Sequence, residues 1–144
     1  MKKIYFACSI AGGRDYAFVY KDFVEVMKAA GVEVIGEVFA DPLLEAELGT
    51  DPDSSPRHIW ERDSRWLSRA DAVIAEATQP SLGVGYQIAR SEALKKPVLV
   101  LFYKKSVKRF SWMISGSPNI ETFEYAEYAD AKKAIRSFID KLGG

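Results

Sequence analysis

Five short strand-like runs, most of them apolar, alternate along the chain with longer stretches in which apolar residues recur every three or four positions. The first run, within Lys3 to Ser9, is continuously apolar from Ile4 to Cys8, as a parallel strand covered on both faces is. From about Arg14 to Ala30 the period lengthens. Tyr16, Val19, Tyr20, Phe23, Val26, Met27 and Ala30 fall on one helical face, and Gly31 supplies the stop. Val32 to Phe39 reads as a second strand, and the polar, acidic, proline-containing stretch from Asp41 to Ser55 as a long surface loop or lid. Ser55-Pro56 opens the next helix as N-cap and first-turn proline. Its predicted apolar stripe is Ile59, Trp60, Trp66 and Leu67, with Asp63 on the same face.

Ala72 to Ala77 is the third predicted strand, and a helix follows from about Gly83 to Leu94. Val98 to Tyr103, wholly apolar, is the fourth strand and central. Lys104 to Asn119 reads as a second long loop that leaves Trp112, Met113 and Ile114 exposed. Glu121 to Tyr125 is a fifth, edge strand, and Ala129 to Leu142 the last helix. Regular strand–helix alternation predicts an α/β fold, a five-stranded parallel sheet with helices on both faces. The flavodoxin-like, Rossmann-like order 2-1-3-4-5 makes strands one and three neighbours, and ligands bind where the chain reverses between them.

At 144 residues the chain is read as one domain, 1–144, with a core of ordinary size. Twenty basic residues balance 20 acidic ones, so nothing points to nucleic acid. The basic run Lys104, Lys105, Lys108 and Arg109 is either a solvated loop or a rim that attracts phosphates. Cys8, the sole cysteine, excludes an intrachain disulfide and is expected to be a buried, inert thiol. No run approaches membrane-spanning length, and Met1-Lys2-Lys3 with its apolar sequel reads as a first strand rather than a signal peptide. A cytoplasmic location is expected by elimination.

Both predicted switch-point turns are rich in glycine and serine: Ser9-Ile10-Ala11-Gly12-Gly13-Arg14 and Thr78-Gln79-Pro80-Ser81-Leu82-Gly83-Val84-Gly85-Tyr86-Gln87. Such turns before a helix leave N–H groups uncovered at the positive end of its dipole, where anions are held. Ser9, Gly12, Gly13, Ser81 and Gly83 can therefore surround a phosphate; the plainer reading is that the glycines merely make tight turns. Neither turn has the spacing of a dinucleotide fingerprint or a P-loop. Tyr5, Phe39, Trp60 and Tyr86 can wall a base or simply fill a core. Asp63 is either a functional carboxylate or a helix-edge partner of Arg62 or Arg65, and His58 alone makes no metal site.

The segments Tyr5-Phe6-x-Cys8-Ser9-Ile10-x-Gly12-Gly13-Arg14, Glu61-x-Asp63-x-x-Trp66-Leu67 and Ala70 through Tyr86, with Ser111-x-Met113-Ile114 and Tyr125-Ala126-Glu127, resemble the 2'-deoxynucleoside 5'-monophosphate N-hydrolases. These belong to the nucleoside 2-deoxyribosyltransferase superfamily. The resemblance implies hydrolysis of the N-glycosidic bond of a nucleoside 5'-monophosphate to free base and sugar 5-phosphate, with no cofactor and no metal. It places Ser9, Ile10, Gly12, Gly13, Ser81 and Gly83 around the nucleotide, the hydroxyls and glycine amides on its 5'-phosphate. It further implies a homodimer in which Ser111 of one subunit completes the neighbouring site, with Met113 a further substrate-binding residue. Tyr5 would lie beside the sugar and the reacting carboxylate, with Asp63 assisting proton transfer or orienting that carboxylate.

The chain departs from the pattern where it matters most. The family's nucleophilic glutamate follows the Gly-x-Gly-Tyr turn, and here that position is Gln87. A neutral amide does not form the sugar ester of a retaining mechanism, so hydrolysis is expected to be impaired while binding survives. Three explanations stand: an enzyme deliberately disarmed, a natural nucleotide-binding relative that never cleaves, and a divergent enzyme in which Asp63 carries the chemistry. A nucleoside deoxyribosyltransferase is a further alternative, opposed by the phosphate cradle. Ala11 and Val38 replace a basic residue and a histidine frequent in the family, which leaves base and sugar preference open.

Overall fold

A computed structural model describes residues 1–9, 16–40 and 55–143, with the side chains of residues 17, 38 and 39 outside that description. Its elements run β1 (Lys3–Ala7), α1 (Ala17–Ala29), β2 (Glu33–Ile35), a 3-10 turn (Glu37–Ala40), α2 (Pro56–Arg69), β3 (Ala72–Glu76), α3 (Leu82–Ala93), β4 (Val98–Tyr103), α4 (Trp112–Ser115), β5 (Glu121–Tyr125) and α5 (Tyr128–Lys141). The strands form one five-stranded sheet, all pairs parallel, in the predicted order β2-β1-β3-β4-β5. β1 and β3 are neighbours in the middle, with Tyr5 opposite Val73 and Ala7 opposite Ala75.

Alternation along the strands feeds two cores. Ile4, Phe6, Ile74, Leu99 and Leu101 pack with Tyr20, Phe23 and Met27 of α1 and Ile135 and Phe138 of α5. Tyr5, Ala7, Val73, Ala75 and Val100 face the other way, onto Leu67 of α2 and Val84 and Ile88 of α3. Both faces are thus covered, which is why the central runs of β1 and β4 are apolar almost without a break. Among the described residues no helix is long and apolar enough to cross a membrane.

Three expectations change. The second strand stops at Ile35, well short of Phe39, because Gly36 turns the chain at φ +83° into the 3-10 segment. A Cβ at Gly36 would meet Tyr5 Cε2 at 3.3 Å and the Phe6 carbonyl at 3.4 Å, so the chain passes close over the Tyr5 ring. In α2 only Leu67 of the predicted stripe is fully buried; Ile59 and Trp60 are 38% and 52% exposed. The span from Lys104 to Asn119 is not all loop, since Trp112–Ser115 forms the short α4. Trp112 and Met113 are exposed, as expected.

Candidate active site

The helix α3 begins where the chain leaves the C-terminal end of β3. Ser81 is its N-cap: the Ser81 hydroxyl accepts the Val84 N–H at 3.3 Å. The N–H groups of the first turn, at Leu82 and Gly83, have no acceptor within the helix. The nearest atom to a Cβ built on Gly83 would be Ser81 Oγ, 3.9 Å away, so nothing crowds that turn. Ser9 is fully buried just past the end of the adjacent β1. Ile10, Ala11, Gly12, Gly13 and Arg14 lie outside the described residues, as does the 41–54 stretch.

Beside this turn is a cavity of about 500 Å³ between α2, the end of β1 and α3. Tyr5 and Cys8 form part of its floor, Asp63 and Trp60 come from α2, and Ser81, Gly83 and Gln87 from α3. The three expected catalytic positions, Tyr5, Asp63 and Gln87, therefore share one hollow with two of the expected phosphate ligands. Gln87 is 8% exposed; its amide lies close to the Tyr5 hydroxyl, and its Oε1 has no hydrogen-bond partner among the described residues. Burial, then the nearby Asp63 charge, pushes the Tyr5 hydroxyl above its ordinary range, so it stays protonated at neutral pH. Burial also raises the Asp63 carboxyl, while Arg62, whose Nε donates to Asp63 Oδ1 at 3.0 Å, pulls it back. Asp63 is paired with Arg62 and also lines the cavity.

The outer wall is braced by stacking. Arg90 lies 5.3 Å from the Trp60 ring and 5.7 Å from that of Tyr86, and donates to Ser64 Oγ at 2.7 Å. The Trp60 indole N–H reaches the Tyr86 hydroxyl at 3.4 Å. Cys8 is buried as expected, yet it borders the cavity.

Ser111 does not reach this hollow within its own chain. It lines a second one of about 760 Å³ on the other side of the α3 N-terminus, with Gln79, Arg109 and Ile114. Ser81, Val84 and Tyr86 face both. Met113 is 87% exposed. Among the described residues no group of three His, Cys, Asp or Glu side chains stands where it could hold a metal ion.

Sequence reasoning missed Glu76. It ends β3, is fully buried, and accepts the Thr78 N–H at 2.6 Å and the Tyr125 hydroxyl at 2.5 Å. The available signal was a lone carboxylate at the end of the run Ala72 to Ala75.

Known proteins resemble this chain in sequence and in fold. A protein of Nematostella vectensis, provisionally named 2'-deoxynucleoside 5'-phosphate N-hydrolase 1, is 45% identical over 98% of this chain and 96% of its own length. The 5-hydroxymethyl-dUMP N-hydrolase of Rattus norvegicus is 39% identical over 96% of this chain and 82% of that protein. Among solved structures, a CMP N-glycosidase of Clostridium botulinum superposes with a TM-score of 0.65 over 93% of this chain and 98% of its own. At 18% identity that likeness speaks for the fold alone. The profile of the family described as nucleoside 2-deoxyribosyltransferase matches residues 4–126, most of the chain. With that match and those identities, the chain belongs to the nucleoside 2-deoxyribosyltransferase family.

Proposed function

We propose that this chain is built to bind a (2'-deoxy)nucleoside 5'-monophosphate and to hydrolyse its N-glycosidic bond, with the covalent step disarmed by Gln87. The observation that carries the reading is the shared hollow: Tyr5, Asp63 and residue 87 stand together beside the uncovered N–H groups of the Ser81–Gly83 turn. The relatives' names supply the reaction class. A phosphate on that turn, with Ser9 beneath it, would put the sugar against Tyr5 and the base toward Trp60 and Ile59. Gly12, Gly13 and Ile10 would close the cradle.

In the complete reaction a carboxylate at position 87 attacks the anomeric carbon as the bond to the base breaks. Asp63, whose carboxyl burial raises above its ordinary range, supplies or orients the proton that leaves with the base. Water then cleaves the sugar ester, giving sugar 5-phosphate and restoring the carboxylate. The protonated Tyr5 hydroxyl holds the reacting group in place. Gln87 offers neither charge nor an ester, so turnover is reduced by several orders of magnitude while binding persists.

We further infer a homodimer in which Ser111 and Met113 of one subunit reach the partner's site. Supporting it are the exposed apolar side chains Leu82, Trp112 and Met113, at 96%, 75% and 87%, with half-exposed Trp60 and Tyr86 nearby on α2 and α3. A second reading, a sensor that binds a nucleotide without cleaving it, is favoured by the buried Gln87 Oε1, an acceptor with no partner among the described residues.

The test is Gln87→Glu, incubated with each deoxy- and ribonucleoside monophosphate while free base is followed by chromatography. Base release by the variant alone supports the disarmed enzyme. Silence from both, with nucleotide binding retained, selects the sensor.

A further inference from the structure

Glu76 belongs to none of the chemistry above. It shares the sheet face of Ala72 and Ile74, toward α1 and α5, while the Asp63–Gln87 hollow opens on the other face. A buried carboxylate is costly, and at such a place a leucine or methionine fills the volume more cheaply. What the carboxylate does is join two elements. One oxygen takes the Thr78 N–H at 2.6 Å and the other the Tyr125 hydroxyl at 2.5 Å. Thr78 is in turn tied to β4, its Oγ1 accepting the Tyr103 N–H at 2.8 Å, and the Ala77 N–H reaches the Leu101 carbonyl at 2.9 Å. Thr78 is fully buried. Three residues later Ser81 caps α3.

The chain therefore leaves β3 in a direction fixed by a clamp spanning β3, β4 and β5, and the turn offered to a phosphate is the next thing it builds. We propose that Glu76 is a positioning residue for the nucleotide site: through Thr78 and Tyr125 it sets the height and angle of the 79–83 turn and the first turn of α3. The inference rests on the nucleotide reading for its ligand and on the hydrogen bonds alone for its mechanics.

Two variants of the full chain test it, Glu76→Gln and Tyr125→Phe, each with two readouts. The first, without ligand, is amide hydrogen exchange at Thr78 and at Val84 and Gly85, whose N–H groups are held by Ser81. Both variants should exchange there roughly tenfold faster, as the loss of one hydrogen bond to a charged group implies, with the β1 and β3 amides unchanged. The second is affinity for dUMP and for phosphate-free deoxyuridine by calorimetry. The ratio of the two should fall about tenfold in both variants while deoxyuridine binding holds within about twofold; a general loss of stability would not move that ratio. Unchanged exchange at 78, 84 and 85 overturns the inference, as does faster exchange with the dUMP preference intact. Faster exchange in a protein whose unmodified form shows no dUMP preference supports the clamp and refutes the nucleotide reading instead. If Glu76→Gln does not fold, Tyr125→Phe, which keeps the carboxylate and its Thr78 bond, decides on both readouts.

Discussion

Replacing Glu76 by glutamine makes a stability prediction with a definite pH signature. Burial raises the Glu76 carboxyl from 4.5 to about 6, against the opposing pull of the Tyr125 and Thr78 hydrogen bonds. In the unfolded chain it titrates near 4.5, so between these values the folded protein holds a proton that the unfolded chain has lost. Folding stability from this group is then fully present below 4.5 and is lost as pH rises through about 6. The gap of about 1.5 between those pKa values corresponds to about 2 kcal/mol. The other groups facing it do not titrate in that window: burial and the Glu76 charge push the Tyr125 hydroxyl up, and burial with neighbouring charges does the same to Tyr128. Glutamine cannot ionise. The stability of the unmodified chain relative to Glu76→Gln should therefore fall by about 2 kcal/mol between about pH 4 and about pH 7.5, whatever its value at either end. Urea denaturation of both proteins across that range measures it. A flat difference would refute the reasoning. So would an unmodified chain that gains on the variant as pH rises, since the two hydrogen bonds would then outweigh burial and hold the group ionised.

Other consequences are simpler to state. In the Gln87→Glu background, Asp63→Asn should lower base release at least about a hundredfold with nucleotide affinity changed less than about threefold; unchanged turnover removes Asp63 from the proton transfer. Ser81→Ala deletes the cap on the Val84 N–H, which should cost about 1 kcal/mol, or about 3 °C in melting temperature, and weaken dUMP more than deoxyuridine by calorimetry. Lys96→Ala removes the ammonium that donates to the Ala70 carbonyl at 2.6 Å beyond the end of α2; a loss of about 1 kcal/mol with dUMP binding unchanged is expected. Met113→Asp places a charge on the exposed α4 surface and should give a monomer by light scattering, whereas a variant of unchanged mass would place the subunit contact elsewhere.

Most of the architecture was legible because β1, β3 and β4 are buried on both faces and the long helices on one. Val98–Tyr103 begins and ends where its apolar run does, and the strand order is the common one for a five-stranded sheet of alternating strands and helices. The failures have local causes. Val34 and Ile35 continue into Val38 and Phe39 by hydropathy, yet Gly36 at positive φ ends the strand between them. Ile59 and Trp60 match a core stripe by spacing, but they border the cavity where a fully buried side chain would close it. In the site, Asp63 and the Ser81 turn were readable because a carboxylate in an apolar stripe and a glycine-rich turn after a strand are both unusual. Glu76 was hidden inside a run read as apolar, and its partner Tyr125 is 49 residues away, a pairing only the sheet makes visible.

Gly36 carries a warning for anyone mapping this protein by exhaustive substitution. Any side chain there would press on the ring of Tyr5, a residue 31 positions earlier, at a φ of +83° that favours glycine, so the map would mark a position that does no chemistry. Its intolerance would report steric support delivered from the sheet's edge, and only a count of which neighbours lose their place would tell that apart from chemistry.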